Sequence, residues 1–228
     1  MNDHRVSHII MKSQLYTLVI DTVTNLCYQN CLGYLTPNST VLDVGIGNGL
    51  MLKRHHDLIK HKRLNIIGID INRAYLDYCN VFIKTYRLED HIKTYNQPIE
   101  SYEPPAKSFF DYILFSMSFM LFEDQPLVLD RVRDWLKPHG QIIFFQTMLR
   151  ERLRWMEFLK PKLKYLTTID FGRVTYEQDF FALLDETKLN ITEDRLIRKE
   201  WFKGECRMIV SSLENGKRHG IIPERRRP

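Results

Sequence analysis

Residues 41–49 read VLDVGIGNG, a short apolar strand that runs into a turn with glycine at alternate positions. Glycine lets the backbone turn sharply and leaves its amides bare, so a ligand can lie against them where the next helix begins. The dinucleotide-binding fingerprint places its third glycine one residue later, where Leu50 stands. NAD and FAD are therefore disfavoured, and the chain has no Gly-Lys-Ser/Thr sequence to cradle a nucleoside triphosphate.

Outward from this turn, predicted strands alternate with predicted helices. The strands are expected at 40–44, 64–71, 91–95, 110–115, 141–146, 191–202 and 206–213. The helices are expected at 9–27, 50–60, 75–86, 127–136, 148–163 and 176–188. Alternation of this kind implies parallel strands joined by helical crossovers, whereas the short link between the last two strands requires antiparallel pairing. We expect an α/β fold with a doubly wound, mostly parallel seven-stranded sheet, helices on both faces and an antiparallel C-terminal strand pair.

Asp70 ends the second predicted strand, 21 residues after Gly49. An acid at the carboxyl tip of that strand can accept hydrogen bonds from both ribose hydroxyls of an adenosine. Each motif alone is a weak signal. Together, in the order strand, turn, helix, strand, they strongly indicate a cofactor that contains adenosine.

These residues resemble the class I S-adenosylmethionine-dependent methyltransferases over positions 38–213. The family's first strand and glycine loop read VLDxGxGxG, which residues 41–49 match without a gap. Residues 110–116, FDYILFS, are like its FDxVxxx strand. Residues 136–141, LKPHGQ, look like its LKPGG turn, with His139 in place of the first glycine. The resemblance implies a Rossmann-like transferase that uses S-adenosyl-L-methionine for methylation.

The resemblance also implies a set of cofactor-binding residues. The glycine loop would hold the methionine end, Asp43 would lie near the ammonium, and Asp70 would hold the ribose. The acid that usually meets the adenine amino group is absent, and an amide oxygen of Asn96 or Gln97 would accept that hydrogen bond instead. The predicted cofactor-binding residues are Asp43, Gly45, Gly47, Asn48, Gly49, Asp70, Ile71, Asn96, Gln97 and Ser116.

The methyl acceptor is constrained mainly by motifs that the chain lacks. Enzymes that methylate nucleobase amino groups carry Asn/Asp-Pro-Pro-Tyr/Phe after strand four, where residues 116–119 read SMSF. The cysteine nucleophile of cytosine C5 methylation and the acid cluster of catechol methylation are also missing, and we expect no metal. No catalytic base is assigned, since His8, Tyr16 and His139 are candidates by position alone. The predicted substrate-binding residues are Tyr16, Met117, Phe119, Arg150, Arg154 and Trp155.

The net charge of +5 is concentrated in two segments. Residues 150–164 hold six basic and two acidic side chains, and residues 217–228 hold five and one. The first segment is either a solvated helix face or an attractor for an anionic substrate or an RNA backbone. We predict methyl transfer to an O or N atom of a small molecule by in-line displacement. Two alternatives stay open: methylation of RNA or protein through 150–164 and the tail, and cofactor binding without catalysis.

A length of 228 residues predicts one methyltransferase domain. We divide it into an N-terminal helical cap (1–36), a cofactor-binding core (37–148), a basic helical lid (149–175), a C-terminal helix with antiparallel strands (176–213) and a basic tail (214–228). The first ten residues lack the layout of a signal peptide, and the apolar run 112–122 is too short to cross a membrane. We expect a soluble cytoplasmic protein with no membrane contact, and the sequence predicts no oligomeric state.

Overall fold

The computed structural model describes residues 22–153, 172–200 and 204–213. Helix α1 includes residues 22–34. The other elements are β1 (Thr40–Val44), α2 (Leu52–His61), β2 (Asn65–Asp70), α3 (Arg73–Thr85), β3 (Ile92–Asn96), β4 (Phe110–Ser116), a 3-10 turn (Phe119–Leu121), α4 (Gln125–Trp135), β5 (Leu136–Leu149), β6 (Thr175–Tyr176), α5 (Glu177–Glu186), β7 (Leu189–Lys199) and β8 (Gly204–Leu213).

The described strands form one sheet in the order β3-β2-β1-β4-β5-β8-β7, and the short strand β6 pairs with β5. Strands β1 to β6 pair in parallel, while β8 is antiparallel to both β5 and β7. The predicted α/β class and the antiparallel C-terminal pair are confirmed, with β6 as an eighth strand. Because the order reverses between β1 and β4, a crevice opens at their carboxyl ends, where ligands bind in open α/β sheets.

Two hydrophobic cores cover the two faces of the sheet. Helices α1, α2 and α3 pack on one face, and α4 and α5 pack on the other. The central strands β4 and β5 are apolar for most of their length because both of their faces are covered. This double burial fixes the strand ends from which the loops of the site emerge.

Helix α3 packs through a stripe that differs in part from the predicted one. Its spacing predicts that Tyr75, Tyr78, Cys79, Phe82 and Tyr86 face the core. Cys79 is buried, and Phe82 and Tyr86 are half-buried and pack against the core, but Tyr78 is 65% exposed and Tyr75 is also exposed. Leu76 and Ile83 complete the buried face with Cys79, which packs closely against the glycine loop.

Several other predictions differ from the structure at the ends of helices and strands. Strand β5 begins at Leu136, so the predicted turn at 137–140 is strand with a register shift beside it. Residues 148 and 149 also belong to β5 rather than to a helix. The predictions for 1–21, 154–171 and 214–228 lie outside the described residues. None of the described helices has the length and apolar character needed to cross a membrane.

Candidate functional site

The loop after β1 contains three glycines in the left-handed region, with φ of 80° at Gly45, 67° at Gly47 and 70° at Gly49. A Cβ on Gly45 would lie 2.8 Å from the Cβ of Ser118, and one on Gly49 would lie 2.8 Å from the Cα of Cys79. Within the part of the chain that the structure describes, a Cβ on Gly47 would meet only the Gly45 carbonyl oxygen, 4.0 Å away. The outer glycines are therefore required by packing, whereas Gly47 faces open space in which a ligand can approach the backbone.

Asp70 holds this loop from the carboxyl end of β2. Its Oδ2 accepts a hydrogen bond from the Gly47 amide at 2.9 Å, and its Oδ1 accepts one from the Asn72 amide at 2.8 Å. Each carboxylate oxygen keeps a further lone pair for a ligand hydroxyl. The neighbouring Ile71 is 76% exposed, so the same rim also offers an apolar surface to a flat ring.

Asp43 is the buried acid of the site, with an exposure of 2%. Its Oδ2 accepts a hydrogen bond from the Tyr28 hydroxyl at 2.6 Å, while its Oδ1 has no hydrogen-bond partner in the described part of the chain. Burial, aided by the charge of Asp70, raises the pKa of Asp43 to about 7 against the opposing effect of the Tyr28 hydrogen bond. A buried, unpaired carboxylate oxygen is costly, so this position suits a cationic ligand group.

The contribution of α1 was not predicted from the sequence. Tyr28 and Cys27 on this helix are buried, and the Cys27 Sγ lies 3.0 Å from the Ser116 Oγ at the end of β4. Burial, together with Asp43, holds the pKa of Tyr28 well above its usual value, so its hydroxyl stays a donor. The available signal was a tyrosine on an otherwise apolar stripe, since a buried phenol needs a hydrogen-bond partner.

The three predicted site residues in and before the loop after β4 lie in different environments. Ser116 is buried beneath α1, and Met117 is half-buried in the left-handed region with φ 58°. Phe119 was predicted to contact substrate, but its ring packs 4.9 Å from that of Phe144 and 5.9 Å from that of Phe180. That prediction is corrected, because the 3-10 turn directs Phe119 into the core on the α4 and α5 face.

The remaining predicted cofactor residues lie along the same edge of the sheet. The side chain of Asn96 is exposed and donates to the Asp70 carbonyl oxygen at 2.9 Å, which leaves its own amide oxygen available. Gln97 is half-buried beside it. The side chain of Asn48 accepts from the Leu50 amide at 3.1 Å and so supports the turn into α2.

The described start of the basic lid is paired with acids. Arg150 contacts Glu205 at 3.1 Å and Glu177 at 3.5 Å, and Arg152 lies 2.8 Å from Asp179. The buried Arg207 joins the same cluster through Glu177 at 3.3 Å. The lid is thus neutralised where it leaves the sheet.

Of the other candidates, Tyr16, Arg154, Trp155 and His8 lie outside the described residues. His139 is exposed near the amino end of β5. Because the crevice opens at the carboxyl ends of the strands, His139 is too remote to act as a base, and that candidate is corrected. Within the described residues, no group of three or more possible ligands is arranged to hold a metal ion.

Comparison with known proteins finds similarity over the central part of the chain. Residues 41–140 match the model of a methyltransferase domain. A carboxy-S-adenosyl-L-methionine synthase of Vibrio vulnificus is 25% identical over 121 residues, covering 52% of this chain and 48% of the relative. The synthase of Shewanella piezotolerans is 23% identical over 137 residues, covering 60% and 54%. The chain therefore spans about half the length of the curated relatives it matches.

Solved structures share the fold at low sequence identity. The [4+2]-cyclase SpnF superposes with a TM-score of 0.67 at 14% identity, over 85% of this chain and 81% of the other. The geranyl diphosphate C-methyltransferase from Streptomyces coelicolor A3(2) gives a TM-score of 0.65 at 12% identity, over 84% and 78%. That enzyme was crystallised with Mg2+, geranyl diphosphate and S-adenosyl-L-homocysteine.

Proposed function

We propose that this protein, whose residues 41–140 match the model of a methyltransferase domain, is a class I S-adenosylmethionine-dependent methyltransferase that methylates an O or N atom of a small molecule. The observation that carries the cofactor assignment is the unpaired Oδ1 of Asp43, buried beside a glycine loop. The methionine end of S-adenosylmethionine bears an ammonium, and an ammonium satisfies a buried carboxylate oxygen.

The other residues of the loop and rim fit the remaining groups of this cofactor. Gly47 leaves room for the methionine chain, Asp70 would accept the ribose hydroxyls, and Ile71 would cover the adenine. An amide oxygen of Asn96 or Gln97 would receive the adenine amino group. When bound, the cofactor supplies a methyl group on a positively charged sulfur, which is open to in-line displacement.

The task of the protein in such a displacement is alignment and exclusion of water. The acceptor would enter the crevice at the ends of β1, β4 and β5, beside Met117 and under α1. Burial of Tyr28 and Ser116 supports a site closed on the α1 side. The predicted substrate contacts Tyr16, Arg154 and Trp155 remain part of this proposal.

A small acceptor is preferred because the described start of the lid carries little free positive charge. Glu205, Glu177 and Asp179 neutralise Arg150 and Arg152, so these arginines are poorly placed to hold a phosphate backbone. The alternative, an RNA or protein substrate, depends on residues 154–164 and the tail. Transfer to RNA would slow steeply as salt is raised, whereas transfer to a small neutral acceptor would not.

A second candidate comes from the curated relatives, whose name gives a carboxylated S-adenosylmethionine as their product. In that case the cofactor itself would be the substrate. Mass spectrometry of S-adenosylmethionine after incubation with the protein and a mixture of carboxylic acids would distinguish this reaction from methyl transfer.

Isothermal titration calorimetry with S-adenosylmethionine and S-adenosylhomocysteine tests the cofactor. We expect wild type to bind both, and Asp70→Ala to lose about 1.5–3 kcal/mol, or roughly 10- to 100-fold in affinity. Asp77→Ala is the matched control, because among the described residues this exposed acid pairs with Arg73 on its own helix, away from the glycine loop. Failure of the folded wild type to bind either ligand would refute the assignment, and an acceptor screen would follow a positive result.

A further inference from the structure

We propose that Tyr28 is a positioning residue that holds Asp43 ready for the cofactor ammonium, so that cofactor loading requires α1 to be docked on β1. This inference rests on the proposed function. The two residues come from different elements, and their hydrogen bond of 2.6 Å is buried. It joins the N-terminal helix directly to the glycine-loop strand.

The hydrogen bond uses one carboxylate oxygen and leaves the other for a ligand. Tyr28 donates its single proton to Oδ2, and Oδ1 stays unpaired within the described residues. Without that donor, the carboxylate of Asp43 loses the contact that fixes its orientation. An unfixed acid would have to be ordered again each time a ligand binds, which weakens affinity.

Contacts at both ends of helix α1 fix its position, and they therefore fix the position of Tyr28. The Asn25 Oδ1 lies 3.0 Å from the His55 Nε2 on α2. The ammonium of Lys62 donates to the carbonyl oxygens of Leu32 and Leu35, at 2.7 Å and 2.5 Å, at the carboxyl end of α1. A cation there also interacts favourably with the helix dipole.

The charge environment explains why a donor is needed at this point. Asp43 faces Tyr28 on α1, Asp70 on β2 and Cys79 on α3, with Cys27 beside Tyr28, and within the described residues no basic side chain forms an ion pair with it. Burial and Asp70 raise the pKa of Asp43 to about 7, and the Tyr28 hydrogen bond lowers it. A protonated, neutral Asp43 cannot pair with an ammonium. Affinity should therefore fall as the pH drops below about 7, and in Tyr28→Phe that fall should begin at a higher pH.

The test is calorimetry of S-adenosylhomocysteine binding from about pH 6 to about pH 8.5. We expect Tyr28→Phe to bind about tenfold more weakly at neutral pH, the size of one lost hydrogen bond to a charged group, with its midpoint moved to higher pH. Tyr34→Phe is the control, since Tyr34 lies on the same helix and donates to Gln141 at 3.1 Å, away from Asp43. That variant should keep the wild-type affinity and pH profile.

Two further measurements separate positioning from a loosened helix. Methylthioadenosine keeps the adenosine but has no ammonium, so its affinity should be the same in wild type and Tyr28→Phe. Asp43→Asn should bind S-adenosylhomocysteine weakly and without pH dependence, and adding Tyr28→Phe to it should change nothing more.

Equal loss of affinity for both ligands, or a pH profile in Tyr28→Phe that matches wild type, would overturn the role of Tyr28 alone. A wild type that binds neither S-adenosylmethionine nor S-adenosylhomocysteine would overturn the proposed function as well.

Discussion

We expect Gly49 of the glycine loop to be needed for packing and Gly47 to be needed for ligand binding. Alanine substitution at each position tests this expectation. At Gly49, a Cβ would lie 2.8 Å from the backbone of Cys79, and the residue has a φ of 70°. Left-handed backbone costs a side-chain-bearing residue about 1–2 kcal/mol, and overpacking adds about 1–3 kcal/mol. Gly49→Ala should therefore lose about 2–5 kcal/mol in the free energy of unfolding.

At Gly47 only the backbone cost applies, because the nearest atom to an added Cβ is 4.0 Å away. Gly47→Ala should lose about 1–2 kcal/mol in stability. The new methyl group would occupy the open space in which the cofactor approaches, so affinity for S-adenosylhomocysteine should fall by more than the stability does. Gly33→Ala is the control: it lies in α1 with nothing within 4 Å of an added Cβ, and should be neutral or stabilising by about 0.5–1 kcal/mol.

Thermal and urea unfolding of the three variants, followed by circular dichroism, measures the stability changes. For a chain of this length, each kcal/mol shifts the midpoint of thermal unfolding by about 2–4 °C. A wild-type midpoint for Gly49→Ala would refute the packing argument. Equal destabilisation of Gly47→Ala and Gly49→Ala, with unchanged ligand affinity in Gly47→Ala, would refute the separation of roles.

Three further substitutions test other contacts. Lys62→Met removes the cation bound to the carbonyl oxygens at the end of α1, and urea unfolding should show a loss of about 1–3 kcal/mol, with weaker S-adenosylhomocysteine binding. Arg207→Met removes the buried guanidinium that pairs with Asp194 and Glu177, although Glu177 keeps its contact with Arg150, and should cost about 1–3 kcal/mol in the same assay; no measurable change would show that water and Arg150 compensate. The pKa of Asp43 is about 7 in the folded protein and has an ordinary value of 3.8. Between these two pH values the folded protein keeps a proton on Asp43 that the unfolded chain has released. The free energy of unfolding therefore falls as the pH rises from about 4 to about 7. Asp43→Asn should therefore be more stable than wild type at about pH 8, with the gain vanishing towards about pH 4; a gain independent of pH would contradict this reasoning.

The strand that precedes the glycine loop was predictable to the residue, because an apolar run between a proline-containing turn and three glycines leaves little choice of boundary. The pairing of β7 with β8 was also predictable from the short link between them. The buried face of helix α3 was predictable only in part: Cys79 lies on it as expected, but Tyr75 and Tyr78 are exposed while Leu76 and Ile83, at the same helical spacing, are buried.

Within the candidate site, the sequence singled out residues that a motif names, such as Asp43 and Asp70, and the structure places both beside the glycine loop. It did not identify Tyr28, because a tyrosine on an apolar stripe indicates that some hydrogen-bond partner is needed but does not indicate which residue of another element supplies it. Phe119 was assigned to the site because it follows β4, although a single 3-10 turn is enough to direct its ring into the core.

The hydrogen bond from α1 to β1 affects where this protein can be truncated and how its domain can be grafted. The match to the methyltransferase family begins at residue 41, after the helix that carries Tyr28. A fragment trimmed to that boundary would keep Asp70 and all three glycines of the loop, yet it would expose Asp43 to water and remove its hydrogen-bond donor. Such a fragment would still match the methyltransferase-domain model while lacking one side of the proposed binding site. Grafting experiments with this domain should therefore carry residues 22–34 along with it.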